Sequence, residues 1–191
     1  MPSLLTAFTP SRIPLSESAA FSSREFRHAL GQFATGVTII TTCDAAGQPA
    51  GLTVSSFNSV SLEPALVLWS MAHSAGSLPT FLHAPHYAIH VLAAGQQALA
   101  QRFASRVPDR FAEVAWQPGA HGVPLLDGAV AVFECSNRSH YNEGDHTIFI
   151  GHVEQVHHLP AAAPLLYHGG RMHAHHGLPL PPTLTQEAPK D

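Results

Sequence analysis

The sequence predicts a mainly β protein with short helices, arranged as a closed β-barrel with helical additions. Three observations favour this fold class. Strand-like segments recur at even spacing, several are joined by short hairpin turns, and helical periodicity is confined to a few short segments. The chain has 191 residues, of which 45% are hydrophobic, so it can bury a substantial core as one domain.

Each element follows from a local pattern in the chain. Ser22 and Glu25 have the spacing of a capping box, and apolar residues then recur at helical intervals. The segment 106–124 contains three prolines and is expected to be a surface excursion or a lid. The predicted order is a helix over about 23–33, a strand over 37–43, a turn into a strand-like stretch over 51–64, a strand after Pro64, a short helix near 78–84, a strand over 86–93, a helix over 95–105, and a long hairpin of 129–141 with 146–157.

Composition divides the chain into three parts. Residues 1–20 are rich in Pro, Ser and Thr and are expected to form a flexible arm. Residues 21–176 are expected to form the folded domain. Residues 177–191 are Pro-rich without periodicity and are expected to be disordered.

Charge and cysteine content exclude several classes of protein. Charged residues make up 12% of the chain, about half the usual share, which suggests that another subunit covers part of the surface. The net charge of -4 offers no basic surface for nucleic acid, and no apolar run reaches membrane-spanning length. With no signal-peptide pattern and two unpaired cysteines, Cys43 and Cys135, we expect a cytoplasmic protein.

Histidine is abundant, with 15 residues, and two clusters near the C-terminal end have the composition of chelators. These are His157-His158 and the HAHH segment at 173–176. Neither has a cysteine at zinc-site spacing, and no HExxH motif occurs. We therefore expect adventitious binding in the tail and predict no metal site. The GxGxxG fingerprint of a Rossmann dehydrogenase is also absent.

The stretch GLTVSSFNSVSLEP, residues 51–64, alternates like a strand but places hydroxyls at its polar positions. As one extended segment, it would carry four hydroxyls on one face. Two interpretations remain open: a barrel strand whose Ser and Thr side chains satisfy one another, or a face that binds a flat polar ligand. The four hydroxyl-bearing residues are Thr53, Ser55, Ser59 and Ser61, with Val54, Ser56, Asn58 and Val60 on the opposite face.

From Phe26 to Arg171 the chain resembles the flavin reductase-like family, the reductase partners of two-component flavin monooxygenases. Seven pieces carry the resemblance in the family's order: FATGVTIITT, GLTVSSFNSVSLEPALVLW, HSAGS, YAIHVLAAGQQALAQRFA, GVPLLDGAVAVFEC, GDHTIFIGHV and PLLYHGGR. The resemblance implies a split β-barrel of the FMN-binding type and a homodimer. It also implies reduction of FMN or FAD by NADH or NADPH, with delivery of reduced flavin to a separate monooxygenase.

The resemblance assigns flavin-binding positions to several segments. Thr53, Val54, Ser55 and Ser56 are expected to line the flavin ring and ribityl chain, largely through backbone amides, with Thr35 and Gly36 on the adjacent strand. In the following loop, His73, Ser74 and Ser77 match the family's phosphate-binding segment, with histidine at the usual basic position.

Further along the chain, Ala93 and Gln97 fit the family's motif near the flavin. The strand before them departs from the family, because His90 replaces the common Asn. Phe103 matches an aromatic that packs on the ring edge, although an amphipathic helix would equally place it in the core. Tyr167 and Arg171 match a C-terminal pair, in which the arginine meets a nucleotide phosphate.

His146 is the candidate catalytic residue, because the resemblance places it near both flavin and nicotinamide, where it can hydrogen-bond or move a proton. The alternative interpretation of His146 is a structural residue at the end of a hairpin. Asp145 is expected to be a turn residue. The alternative function is a barrel of the same superfamily that binds flavin or haem without turnover, as a sensor or storage protein.

Overall fold

The computed structural model describes residues 20–159 and 162–179, and the chain is mainly β with short helices, as predicted. The helices are α1 (Ser23–Leu30), α2 (Leu78–His83) and α3 (Gln97–Ala104), the last preceded by a 3₁₀ turn at Ala94–Gln96. The strands are β1 (Thr35–Gly36), β2 (Thr38–Cys43), β3 (Pro49–Val54), β4 (Asn58–Leu62), β5 (Ala65–Ala72), β6 (His86–Val91), β7 (Trp116–Pro118), β8 (Pro124–Leu126), β9 (Ala131–Glu143), β10 (His146–His158), β11 (Leu166–His168) and β12 (Arg171–His173).

Seven strands form the main antiparallel sheet, in the order β3-β2-β6-β9-β10-β5-β4. The long β9–β10 hairpin is its centre. Strand β6 pairs with the 131–136 half of β9, whereas β5 pairs with the 146–152 half of β10. This stagger between successive strands is typical of a sheet that curls into a barrel.

The stretch 51–64 is two strands rather than one, so the predicted single alternating face is wrong. Strands β3 and β4 lie at opposite ends of the sheet order, and residues 55–57 cross between them. The Ser56 hydroxyl accepts a hydrogen bond from the Ser70 N–H at 2.9 Å and donates to the Ser70 carbonyl at 3.1 Å. These bonds tie the end of β3 to β5, which brings the two edges of the sheet together.

Aromatic residues fill the core inside the sheet. The Trp69 indole stacks on Phe149 with 4.4 Å between ring centroids and meets Phe81 and Tyr87 edge-on. All four side chains are fully buried. A second apolar cluster, which includes Phe103, lies between α3 and β2.

The segment 106–124 is an excursion with its own structure, because it contributes β7 and begins β8, and these two strands form a small hairpin. The Thr41 hydroxyl fastens this hairpin to the barrel by donating to the Pro124 carbonyl at 2.6 Å. A third sheet has the order β1-β11-β12. No helix among the described residues is long and apolar enough to cross a membrane.

The capping box predicted for the first helix is present, with Ser22 and Glu25 bonded to each other reciprocally, although α1 ends at Leu30. The predicted arm, 1–20, lies outside the described residues except for Ala20. The predicted tail, 177–191, lies outside them from residue 180 onwards.

Candidate active site

A groove of about 330 Å³ opens where β3 ends beside β5. It brings together five residues that the sequence assigned to a ligand site: Thr53, Val54, Ser55, Ser56 and His146. The other lining residues are Leu52, Ser70, Met71, Ala72 and Ala75. Most side chains that line the groove are small, and His146 is the ionisable one among them. A flat ligand therefore has room to approach the backbone.

Backbone donors are available at the lip of the groove. Strand β3 is an edge strand in the hydrogen-bonded order, and its pairing with β2 stops at Val54. Beyond it, the N–H groups of Ser55 and Ser56 meet no acceptor within the described part of the chain. A backbone donor without a protein partner is stable only when water or a ligand accepts from it.

The hydroxyls of the same segment divide into structural and unpaired ones. Thr53 donates to the Ala100 carbonyl at 2.7 Å and so fastens β3 to α3. Ser56 is held by Ser70, as described above. Ser55 is exposed, and its hydroxyl has no hydrogen-bond partner among the described residues. The groove therefore offers a ligand the Ser55 hydroxyl and the N–H groups of residues 55 and 56.

His146 begins β10 and lines the groove opposite β3, because its register partner is Ala72 at the end of β5. Its Nδ1 lies 2.6 Å from an Asp145 carboxylate oxygen. The hydrogen bond and the charge of His146 lower the pKa of Asp145, which therefore stays ionised. This pairing places the proton on Nδ1 and leaves Nε2 as the other hydrogen-bonding atom. Asp145 thus orients the histidine in addition to forming the predicted turn.

The loop after β5 borders the same groove. Ala72 and Ala75 line it, and the exposed His73 and Ser74 lie between them. The His73 N–H donates to the Asp145 carbonyl at 2.9 Å, which joins this loop to the hairpin that carries His146. The loop thus adds a histidine and a serine to the rim.

Ser77 lines a second depression, of about 170 Å³, together with Gly51 and Arg110. The Arg110 guanidinium donates to the carbonyls of Gly51 at 2.8 Å and of Ser105 at 2.7 Å. It forms no ion pair with a carboxylate among the described residues. Sequence reasoning missed this cation because it occurs in the irregular segment 106–124.

Four predicted residues lie beside the ends of β2 and β6 or on the strand β11 that pairs with β1. Thr35 and Gly36 precede Thr38, the register partner of Val54, and pair with Tyr167 and Leu166 of β11. Ala93 follows β6 and forms an isolated bridge with Pro164. None of these four residues lines the groove of the single chain. They are Thr35, Gly36, Ala93 and Tyr167.

The local contacts of these residues are structural. Tyr167 packs against the second apolar cluster, and the Ala93 N–H donates to the Gln96 side chain at 2.9 Å. The Thr35 hydroxyl is buried without a partner in the described chain, and such a group costs stability unless something supplies a hydrogen bond. Gln97 begins α3, and Arg171 is an exposed residue of β12.

Phe103 lies in the core and not at the groove. Its side chain is 0% exposed and meets Phe111 edge-on with 5.0 Å between ring centroids. A Cβ atom on Gly51 would come within 2.7 Å of the Phe103 ring. The phenylalanine thus supports β3 from behind and does not line the groove of the single chain.

His90, where the chain departs from the resembling family's Asn, is a buried structural residue. Its Nδ1 faces the Ile39 carbonyl at 3.1 Å, and its Nε2 accepts from the Leu126 N–H at 3.0 Å. Burial lowers the pKa of His90 to about 4, so the ring is neutral near pH 7. Both ring nitrogens are satisfied within the protein, and His90 therefore fastens β8 to the barrel.

Five groove residues were not assigned to the site from the sequence: Leu52, Ser70, Met71, Ala72 and Ala75. Ser70, Met71 and Ala72 lie at the end of the apolar strand β5, whose pattern indicates only a buried strand. The Ser56–Ser70 contact brings this strand end to the groove. It joins residues 14 positions apart, so no local sequence pattern indicates it.

Comparison with known proteins identifies the chain's relatives. The model of the flavin reductase like domain matches residues 30–176. The FMN reductase (NADH) SmoA of Agrobacterium fabrum is 46% identical over 149 residues, which cover 78% of this chain and 84% of that protein. The reductase component of the flavin-dependent trigonelline monooxygenase of Acinetobacter baylyi is 45% identical over 131 residues. That match covers 69% of this chain but only 42% of the longer relative.

The solved structures agree with these relatives. The Streptomyces globisporus NADH:FAD oxidoreductase SgcE6, solved in complex with NAD and FAD fragments, superposes with a TM-score of 0.74 at 41% sequence identity. The match covers 78% of this chain and 90% of that one. The barrel described above is therefore the split barrel of flavin reductases. On these grounds the chain belongs to the flavin reductase-like domain family.

Proposed function

We propose that the protein is an NAD(P)H:flavin oxidoreductase that reduces FMN or FAD and passes the reduced flavin to a separate monooxygenase. Family membership supports the reaction class, and relatives named as NADH-dependent reductases or monooxygenase components support the substrates and the partner. The observation that carries the proposal for this chain is the uncharged groove with unpaired backbone donors at residues 55 and 56.

The groove fits the demands of flavin reduction. Bound flavin supplies the acceptor for a hydride from the nicotinamide, so the protein contributes binding, orientation and charge stabilisation. The N–H groups of Ser55 and Ser56 are suited to hold a carbonyl oxygen on which negative charge develops. Small side chains at Ala72 and Ala75 leave space for the second ring. Few of these tasks require a side-chain functional group.

The rim provides donors for a phosphate. Ser74 adds a hydroxyl beside the groove, and Ser77 and Arg110 line the second depression. Because Arg110 is already bound to backbone carbonyls, its position is fixed before any anion arrives. We propose that the flavin phosphate lies between this loop and Arg110, with His73 as a weaker, pH-dependent contact.

His146 remains the proposed catalytic residue. It lies in the groove wall with Nδ1 bonded to Asp145, which leaves Nε2 to hydrogen-bond a ligand or move a proton. The other positions that the resemblance assigned stay proposals, as residues that support the groove or contact the nucleotide. They do not line the groove of a single chain, and they are Thr35, Gly36, Ala93, Gln97, Phe103, Tyr167 and Arg171.

A steady-state assay tests the proposal. Purified protein is mixed with each of the four pairings of NADH or NADPH with FMN or FAD, and loss of reduced nicotinamide is followed. At least one pairing is expected to turn over. If none does while flavin or haem binds stoichiometrically, the alternative function applies, a barrel of the same superfamily that binds its ligand without turnover.

We also propose that the protein acts as a homodimer. Helix α1 buries none of its residues, and the apolar side chains of Phe26, Leu30 and the following Phe33 are 50%, 57% and 71% exposed. The edge strand β4 carries Leu62, which is 94% exposed. Apolar surfaces of this kind favour burial against another chain. The chain also carries few charges, which is consistent with a covered surface.

Replacing these side chains tests the dimer. Phe33→Asp combined with Leu62→Asp is expected to shift the molar mass measured by light scattering from two chains to one, because each substitution places a charge in the buried interface. Arg24→Asp on helix α1 is the matched control. A wild-type protein that is monomeric at all concentrations would contradict the proposal.

The compartment that we propose is the cytoplasm. Cys43 and Cys135 are both free thiols. Free thiols are usual in a reducing compartment, whereas secreted proteins commonly pair their cysteines in disulfides. Fractionation of the native cells, with detection of the protein by antibody, tests this assignment, and recovery in an extracytoplasmic fraction would contradict it.

A further inference from the structure

A cluster of metal-ligating side chains lies away from the groove. His86 begins β6, His121 lies in the turn of the β7–β8 hairpin, and Glu154 belongs to β10. One ligand atom from each of the three lies within 4.8 Å of the other two. The Glu154 carboxylate is 3.0 Å from His121 Nε2 and 3.9 Å from His86 Nε2. Three separate elements thus bring two imidazoles and one carboxylate to one point.

The backbone aims Glu154 at the two histidines. The pairing of β10 with β9 shifts register between Val153 and Gln155, so Glu154 is the extra residue of a β-bulge. A bulge turns a side chain away from the regular alternation and is found where a side chain must be aimed. Without it, the carboxylate would follow the alternation of its strand.

The protonation states of His86 and Glu154 suit a cation. Burial, reinforced by the neighbouring His121, lowers the pKa of His86, and neutral imidazole is the form that ligates metals. A hydrogen bond from Ser136 is the largest cause that lowers the pKa of Glu154, so the carboxylate is ionised. The rings of His86 and His121 are stacked at 3.7 Å with an angle of 6° between them.

We propose that His86, His121 and Glu154 form a binding site for a divalent transition metal of the zinc class. Two histidines and one carboxylate are a ligand set that zinc accepts, with water in the fourth position. Zinc would hold ligand atoms about 3.3 Å apart, given bonds near 2.0 Å in tetrahedral geometry. Two parallel rings cannot both direct an in-plane lone pair at one ion, so binding requires the exposed His121 ring to rotate out of its stack on His86.

The site has a structural consequence. His121 belongs to the hairpin formed by β7 and β8, whereas His86 and Glu154 belong to the barrel. A bound ion would therefore fasten this hairpin to the barrel. Glu154 is eight positions beyond His146 along β10, or roughly 25 Å, so the ion is remote from the groove. Cys43 lines a small cavity together with His86 and His121, but its thiol lies 3.6 Å from the Gly122 carbonyl and is not one of the three clustered ligands.

Zinc titration of the untagged full chain tests this proposal, with calorimetry for stoichiometry and affinity and a thermal scan for stability. One ion per chain is expected, together with a higher Tm in the presence of zinc. His121→Ala, in an exposed turn, should weaken binding at least about 100-fold, because loss of a ligand costs more than loss of a supporting residue. Glu154→Gln should behave alike and preserves the size of the side chain.

The C-terminal histidines are the competing chelator, so a variant with His173, His175 and His176 all changed to alanine serves as the control. Its affinity for the single site and its rise in Tm should equal those of the wild type. Three results would overturn the proposal: no zinc binding by the wild type, unchanged binding by His121→Ala, or loss of binding in the tail variant.

Discussion

The groove and the attachment of the β7–β8 hairpin are built from different chemical groups. At the groove, the unpaired donors are backbone N–H groups, and two of the nearby hydroxyls are bonded within the protein. The hairpin is attached mainly through titratable side chains, together with the Thr41 hydroxyl. His90 accepts from Leu126, the Glu134 carboxylate accepts from the Ala120 N–H at 2.9 Å, and His121 lies 3.0 Å from Glu154.

The difference determines what each region tolerates. A site made of backbone donors is insensitive to many side-chain replacements but fails when the backbone is changed. An attachment made of imidazoles and carboxylates depends on pH and on metal ions and fails when a single side chain is lost. The two regions should therefore respond in opposite ways to mutation and to pH.

The largest expected effect is that of proline at the lip of the groove. Ser55→Pro removes a backbone donor that meets no acceptor in the described chain and is proposed to hold the flavin. Removal of one preorganised donor typically costs 10²–10³-fold in kcat, so we expect a loss of about 100-fold in kcat/KM for flavin. Steady-state kinetics with NADH and FMN measure it.

Ser55→Ala is the matched control, because it keeps the N–H group and removes only an unpaired hydroxyl. Its kcat/KM should remain within about threefold of the wild type, which is less than the effect of one neutral hydrogen bond. Circular dichroism establishes that the proline variant is folded. A folded Ser55→Pro protein with normal flavin kinetics would show that this strand end is not the binding site.

The largest expected effect on stability is the pH dependence that comes from His90. Its pKa in the folded protein is about 4, against about 6.5 for an unperturbed histidine, so the unfolded chain binds more protons between these values. The stabilisation is complete above pH 6.5 and is lost as pH falls towards 4. The shift corresponds to about 3 kcal/mol in the free energy of unfolding, measured by urea denaturation across this range.

His90→Asn isolates this contribution, because an amide can accept from the Leu126 N–H and donate to the Ile39 carbonyl without titrating. Other groups also titrate below pH 6.5, and the difference in slope between the two proteins removes them. The variant should lose stability less steeply on acidification, while its flavin KM stays unchanged. Equal slopes would contradict the assigned role of His90.

Much of the fold is visible in local patterns. The capping box at Ser22 and Glu25 and the long hairpin of β9 and β10 are confirmed close to where periodicity and turn residues predict them. The break in the 51–64 stretch could not be predicted from a local pattern, because Ser55 and Ser56 have no glycine or proline beside them to indicate a crossing. Closure of the sheet decides that turn, and closure is a property of all seven strands.

The sites differ in the same way. Thr53 to Ser56 and His146 are found from motifs, because they lie on contiguous, recognisable segments. The cluster of His86, His121 and Glu154 is not, since its members come from three elements and are brought together by a β-bulge and a hairpin. Histidine counting instead favoured the tail. The sequence predicts Phe103 as a flavin contact, with a core position as the alternative, and the structure shows it packed against Gly51 in the core.

The smallest effect separates the two serines at the lip. Ser56→Ala removes both hydrogen bonds to the Ser70 backbone and leaves the Ser70 N–H without that acceptor, which should cost about 1–2 kcal/mol in the free energy of unfolding. Ser55→Ala, which removes no hydrogen bond, should cost nearly nothing. Urea denaturation of the two variants beside the wild type measures the difference.

Because Ser56 joins the end of β3 to β5, its loss should also raise the flavin KM by loosening the groove. Equal stabilities of the two variants would mean that the Ser56–Ser70 bonds do not hold the barrel closed, and the groove would then need another source of rigidity.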